Sequence, residues 1–381
     1  MILLFTPFMT RQCFLPPLGC VALIIMISFM SANAQETVAA RLIIIGDAGK
    51  LHNGKNAVVD AVKTFVTPDD SVSSIFFLGD NIYPKGLPDK SDKTYAASAE
   101  VLRTILNSFK DHQAKVYVVP GNHDWEKGGG NGWQHIKNEE QFVNDLHQSN
   151  TFFIPKGGCP GPEVIELTTN LILIIADTEW WLTSNARPGA GSTCECKTED
   201  EIVTRLKEIV HRNPDKKILF ASHHGFRSYG IHGGYYTWKQ HIFPLTDFSK
   251  YAYLPLPIIG SLYPILRGSI GNVQDLKNSK YQHMISSIES GLSEAKDLTY
   301  LAGHDHNLQL IQENYRSYII SGSGTNRDRV KRGKNSLFAS DKNGFAEIIF
   351  DNKGRETLRF YEVDEKGGVL ELFTASISGG H

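Results

Sequence analysis

Five short apolar runs, rich in β-branched and aromatic residues, each break into a polar cluster opening on glycine or a small residue. Arg41–Ile45 leads into Gly46-Asp47-Ala48-Gly49, and Ile75–Leu78 into Gly79-Asp80-Asn81-Ile82-Tyr83. Val116–Pro120 leads into Gly121-Asn122-His123-Asp124, Ile218–Ser222 into His223-His224-Gly225, and Leu298–Ala302 into Gly303-His304-Asp305-His306. Runs of this length without polar interruption suit strands buried on both faces. Between them, apolar residues recur at helical spacing: Val58, Val62 and Phe65, then Leu102, Ile105, Leu106 and Phe109, then Ile202, Leu206 and Ile209. The alternation predicts βαβ units and an α/β fold, with the clusters beyond the carboxyl ends of the strands, where such sheets bind ligands. Farther on, Ser317–Ser321, Phe345–Phe350, Thr357–Val363 and Val369–Phe373 follow one another without long helices. They are predicted to complete a second sheet packed on the first.

Composition narrows the classes. The 381 residues are 41% hydrophobic and 21% charged, enough for a full core. Lys and Arg number 39 against 41 Asp and Glu, so no global basic field points to nucleic acid. The first 34 residues read as a signal peptide: Arg11, an apolar run Val21–Met30, then Ser31-Ala32-Asn33-Ala34 in a cleavable arrangement. A mature domain over 35–381, secreted or periplasmic, follows. The alternative is an uncleaved membrane anchor, since Phe14–Met30 is long enough to cross a thinned bilayer. Cleavage leaves Cys159, Cys194 and Cys196. One bridge from Cys159 to either of the others, or free thiols, fits an oxidising compartment.

The clusters together offer Asp47, Asp80, Tyr83, Asn122, His223, His304 and His306. Carboxylate, amide oxygen, phenolate and imidazole suit iron, zinc or manganese. Seven donors are too many for one catalytic ion that keeps an open position. They suit two ions sharing a carboxylate, an arrangement that binds phosphate oxygens and acidifies water. A single Gly-Asp after a strand is ordinarily a turn; five such clusters in order are not coincidence.

The ordered set resembles the calcineurin-like metallophosphoesterases, and among them the purple acid phosphatases. Most of that superfamily has Asp-x-His in the first motif; here Gly49 stands at the His position, and Tyr83 follows Asp80 by three residues. That exchange marks the purple acid phosphatases, and Gly303–Gln309 and Tyr318–Gly324 look like closing segments of the small, tartrate-resistant, single-domain type. The resemblance spans about residues 41–373. It implies a four-layer αββα sandwich of two mixed sheets flanked by helices. It implies an Fe(III) site of Asp47, Tyr83 and His306, a bridging Asp80, and a divalent site (Fe, Zn or Mn) completed by Asn122, His223 and His304. The implied activity is hydrolysis of phosphate monoesters by a metal-bound hydroxide, on small phosphorylated substrates or phosphoproteins, by a monomer. His123 and His232 match substrate-facing histidines, with His123 favoured as proton donor to the leaving group. A phosphodiesterase on the same scaffold and a binding protein with a vestigial metal site are the alternatives.

Other residues carry less. His224 is expected to be structural and Asp177 to support the site from behind; His135 and His241 are read as loop residues. An insertion over about 233–278, with Tyr235-Tyr236-Thr237-Trp238 and the apolar Tyr253–Leu266, is a packed loop or a lid. Arg327, Arg329, Lys331 and Arg332 form a basic run, read first as a solvated face and second as an attractor of phosphorylated ligands.

Overall fold

The computed structural model describes residues 38–247, 251–256, 259–262, 267 and 271–377. The chain divides after Gln35 into two units. The expected signal peptide lies outside the described residues, as do parts of the insertion. Among the described residues no helix is long and apolar enough to cross a membrane.

The five sequence-marked strands form as β1 (Val38–Ile45), β2 (Ser73–Leu78), β3 (Lys115–Val119), β7 (Lys217–Ala221) and β8 (Leu298–Ala302). They divide between two sheets. In the first, β1, β2, β3 and β4 (Thr151–Phe153) run parallel. In the second, β6 (Leu171–Ile175), β7, β8 and β10 (Arg316–Ser321) run parallel. Antiparallel strands finish that sheet: β5 (Glu163–Thr168) on one edge, β9 (Leu308–Glu313) and β11 (Ser336–Ser340) on the other.

One expectation is corrected here. Only Ser317–Ser321 joins the second sheet. β12 (Gly344–Asp351) pairs antiparallel with β1, and β13 (Glu356–Val363) and β14 (Val369–Ser376) extend the first sheet outward from it. Side-chain alternation tells which face of a strand is buried, but not which sheet edge accepts it.

The alternation along each strand builds the layers. Leu42, Ile44, Phe76 and Leu78 of the first sheet form one buried cluster with Leu173, Ile175, Leu219 and Leu301 of the second. Their neighbours Ile43, Ile45, Ile75 and Phe77 point the other way, into a cluster with the helix residues Val58, Val62, Leu102 and Ile105. Each such side chain contributes about 1.5–3 kcal/mol on burial, so the αββα order follows from the period-2 pattern. Two mixed sheets with flanking helices are the architecture the resemblance implied.

Helix ends are set by local chemistry. Ala57–Phe65 starts where the Asn56 side chain accepts from Val59 N at 3.0 Å. Glu199–Arg212 opens on a Thr198/Glu201 capping box, with acids in its first turn and His211 and Arg212 in its last. His135 lies within the helix Gly132–Asp145, not in a loop, and is buried with Nδ1 against Lys85 O at 2.6 Å. His241 sits on the short helix Trp238–Ile242. Cys159 is bridged to Cys194, and Cys196 is a buried free thiol.

Candidate metal centre

All five polar clusters converge at one end of the sandwich, each one or two residues past its strand. Close backbone approach makes this feasible. A Cβ at Gly121 would stand 2.5 Å from Asp80 Oδ1, and one at Gly303 would stand 2.7 Å from Asp47 Oδ2. Asp47, Asp80 and His304 adopt left-handed backbone, with φ of 59°, 56° and 68°. Such conformations cost of order 1–3 kcal/mol and persist where surrounding structure enforces them. The enforcement is visible: Asp47 N donates to Gly79 O, Gly46 N to Ser321 O, and His304 N to Asp47 Oδ2 at 2.8 Å.

Two poles result. At one, the Tyr83 hydroxyl lies 3.1 Å from Asp47 Oδ1 and 3.1 Å from His306 Nε2. His306 Nδ1 donates to Asp328 Oδ2 at 2.7 Å. Burial lowers the His306 ring's affinity for a proton, but Asp328 and Asp47 outweigh it and raise its pKa well above the ordinary value. Burial, with Asp47 and Asp80 beside it, pushes the Tyr83 phenol well up. At the other pole, His223 Nε2 lies 3.0 Å from Asn122 Oδ1 and 3.2 Å from His304 Nδ1. Asp80 Oδ1 is 3.4 Å from His223 Nε2 and accepts from His123 N at 2.8 Å. Burial would raise the Asp80 carboxyl, but the His223 and His123 rings and the His123 amide hold it down at about 2.

The donor set fits metal ions on proton bookkeeping. His223 Nδ1 faces Leu78 O at 2.8 Å, and His304 Nε2 faces Gln274 O at 2.9 Å. A carbonyl only accepts, so both these nitrogens carry the hydrogen. Burial and the neighbouring His232, His224 and His223 push the His304 pKa well down, so its ring is neutral. His304 Nδ1 then presents a bare lone pair 3.2 Å from His223 Nε2, with the Asn122 oxygen 3.0 Å from that same nitrogen. Lone pairs converging on one point in this way suit a cation. Two groups of metal-competent side chains cluster here, Asp47, Asp80 and His306, and His223, His224 and His304. His224 belongs to the second by proximity alone. Its Nδ1 is 2.7 Å from Thr178 Oγ1 and its Nε2 2.7 Å from Gln274 Oε1, so both nitrogens are occupied.

His123 and His232 flank the centre. His123 Nδ1 donates to Pro84 O at 2.6 Å, leaving Nε2 3.8 Å from Asp80 Oδ2. Burial lowers its pKa, against the pull of Asp80. His232 stacks on His304 with ring centroids 4.0 Å apart, and its Nδ1 meets Asp275 Oδ1 at 2.9 Å. Burial opposes protonation of His232, and Asp275 with Asp305 outweighs it. Arg267 grips the same carboxylate through Nε at 2.9 Å.

Sequence reasoning passed over several supporting groups. Asp328 hid inside the basic run, although an acid among four cations is a visible break in pattern. Gln274 and Asp275, at the end of the insertion, touch His304, His224 and His232 across long chain separations that carry no periodic signal. Asp124 closes the Asn122 loop by accepting from Gly121 N at 2.8 Å and Asn81 N at 3.0 Å. Asp177, which the sequence did mark as a supporting residue, accepts from Trp125 Nε1 at 2.7 Å, and burial pushes its carboxyl up to about 7.

Comparison with known proteins agrees with this geometry. Residues 40–308 match the calcineurin-like phosphoesterase family, and the chain belongs to it. Members of this family work through dinuclear metal centres. Among solved structures, GAP50, the anchor in the inner membrane complex of Plasmodium, superposes with a TM-score of 0.57 at 17% identity, over 90% of this chain and 89% of GAP50. Purple acid phosphatase PPD1 from yellow lupin (Lupinus luteus) seeds gives a TM-score of 0.52 at 14% identity, over 90% of this chain and 54% of the lupin enzyme. The chain thus spans about half the length of that enzyme. Identities this low show a shared fold alone. No curated protein sequence matches the chain.

Proposed function

We propose that the protein is a purple acid phosphatase of the small, tartrate-resistant type. It hydrolyses phosphate monoesters at a dinuclear centre of Fe(III) and divalent Fe, Zn or Mn. The observation that carries this reading is Tyr83, whose hydroxyl meets Asp47 and His306 at 3.1 Å each, while Gly49 stands where most of the superfamily has a histidine. A phenol buried between carboxylates ionises only against a hard, highly charged cation, and Fe(III) is one. Asp47, Tyr83 and His306 would hold it, Asp80 would be shared, and Asn122, His223 and His304 would hold the divalent ion. When bound, the pair supplies phosphate binding, screening of charge at phosphorus and acidified water. The chain's own residues orient and move protons. His123 and His232, each fixed through Nδ1, keep Nε2 available to the departing alkoxide. The Cys159–Cys194 bridge supports a secreted or periplasmic setting.

The visible spectrum of the purified protein, with metal analysis, tests the reading. A charge-transfer band is expected, and Tyr83→Phe should bleach it. An iron-loaded, active protein without such a band would overturn the phenolate assignment. The likeness to an anchor protein favours a second reading, a non-catalytic role on the same fold. Metal-loaded protein that turns over neither aryl nor alkyl phosphates would establish it.

A further inference from the structure

Arg327, Arg329, Lys331, Arg332 and Lys334 crowd into eight residues of a chain whose 39 basic and 41 acidic residues nearly cancel. The segment bearing them starts inside the centre. A Cβ at Gly322 would stand 2.9 Å from Asp47 Oδ2, and one at Gly324 would stand 2.5 Å from Gly46 O. Asp328 then donates its amide to His306 O and accepts from His306 Nδ1, both at 2.7 Å. Arg327 and Arg329 are therefore about 3.8 Å of chain from a residue that touches His306. Farther along, Arg329 Nε donates to Tyr235 O at 3.1 Å, and Lys331 Nζ lies 4.9 Å from the Tyr235 ring centroid. Tyr235 follows His232 by three residues, and His232 packs on His304. The basic run is thus a strap joining the His306 pole to the His232 loop, not a detached solvated face. Its one acid, Asp328, is committed to His306. Arg327, Lys331, Arg332 and Lys334 are exposed and form no ion pair among the described residues.

We propose that this strap is a polyanion-binding rim that selects phosphate monoesters carrying a second phosphate group. The proposal rests on the phosphatase reading for its reaction but not for its binding. A simple monoester presents no second anion to cations placed outside the centre. A bisphosphate does, and guanidinium groups match its oxygens in bidentate fashion. Exposed cations act over roughly 8 Å at physiological ionic strength, so their pull on a second phosphate weakens as salt rises.

Calorimetry on the full chain, comparing butane-1,4-bisphosphonate with butylphosphonate, tests it without hydrolysis. At low salt the bisphosphonate is expected to bind about tenfold more tightly. That advantage should fall below about threefold in 1 M salt, and likewise in the combined Arg327→Ala, Lys331→Ala and Arg332→Ala variant. Arg327→Lys with Arg332→Lys should keep most of it. The kcat/KM ratio for butane-1,4-diol bisphosphate over butyl phosphate should fall in parallel in the alanine variant. A wild-type ratio near one, or a ratio the alanine variant leaves unchanged, would overturn the rim. So would a preference confined to acidic phosphopeptides. A protein that hydrolyses nothing yet shows the strap-dependent binding ratio would uphold the rim while overturning the phosphatase reading.

Discussion

The two poles of the centre are built from opposite materials. One gathers a carboxylate, a phenol and an imidazole backed by the Asp328 carboxylate. The other gathers an amide oxygen and two imidazoles, backed only by the carbonyls of Leu78 and Gln274. Charge is therefore graded twice in the same direction, in the donors and in the groups behind them. A carboxylate behind an imidazole makes it a stronger donor than a carbonyl does. The lesson is that the asymmetry proposed for the two ions is written in the neighbours as well as in the ligands. Asp80, lying between the poles, belongs to both.

The contrast is broken most severely at Asp80. Asp80→Asn should take metal content from two ions per chain to below one, and turnover should fall by roughly 10³-fold. Elemental analysis and steady-state rates check this, and two retained ions with near-normal turnover would end the sharing role. Next come the flanking histidines, measured with one alkyl and one aryl phosphate. Loss of the true proton donor should cost alkyl phosphates at least about 10²-fold in kcat and good leaving groups much less. A leaving-group-dependent loss confined to His232→Ala would move the role from His123 to His232, and equal losses on both substrates would remove it from each. Asp328→Asn sharpens the contrast directly. It should weaken ion affinity at the Tyr83 pole by about 10–100-fold and shift the colour, while Gln274→Ala, which keeps its backbone carbonyl, should move the other pole by less than roughly threefold. Titration with a competing chelator measures both.

The smallest effect concerns acid tolerance. Burial would raise the Asp275 carboxyl, but His232 and Arg267 bring it from 3.8 to about 2. A carboxyl depressed on folding stabilises fully above its unfolded pKa and loses that contribution as pH falls through its folded one. Between about pH 4 and pH 6, Asp275→Asn should cost roughly 2 kcal/mol, shrinking progressively as pH falls from about 4 to about 2. Denaturant midpoints across that range provide the check. A cost that vanishes already by about pH 4 would show that the clamp fails in acid.

The strand-ended clusters were legible because each pairs a pattern with a residue type: an apolar run locates the strand, and the polar break locates the donor. Asp47, Asp80, Asn122, His223 and His304 come together on those terms. Partnerships between distant segments were not legible. Nothing in Phe345–Phe350 tells that it pairs with β1 rather than with the second sheet, because both edges offer the same backbone groups. Asp275 reaches His232 from 43 residues away, and Asp328 reaches His306 from 22. Contacts of that kind arise from topology, which local periodicity does not encode. His135 misled for the opposite reason: the glycines before it look like loop, yet the helix begins at Gly132 immediately after them.

The left-handed backbone at Asp47, Asp80 and His304 bears on how sequences of this family drift. Aspartate, asparagine, histidine and glycine are the residues that sit in that region with least strain. A descendant that had lost its ions would still be held to that short alphabet at positions 47, 80 and 304, by conformation alone. Gly-Asp and Gly-His signatures can therefore outlive the chemistry they once served. Tyr83, Asn122, His223 and His306 are outside the left-handed region, so no such backbone demand protects them. Among relatives, erosion at those four positions is the sensitive marker of abandoned catalysis, and this chain retains all four side chains.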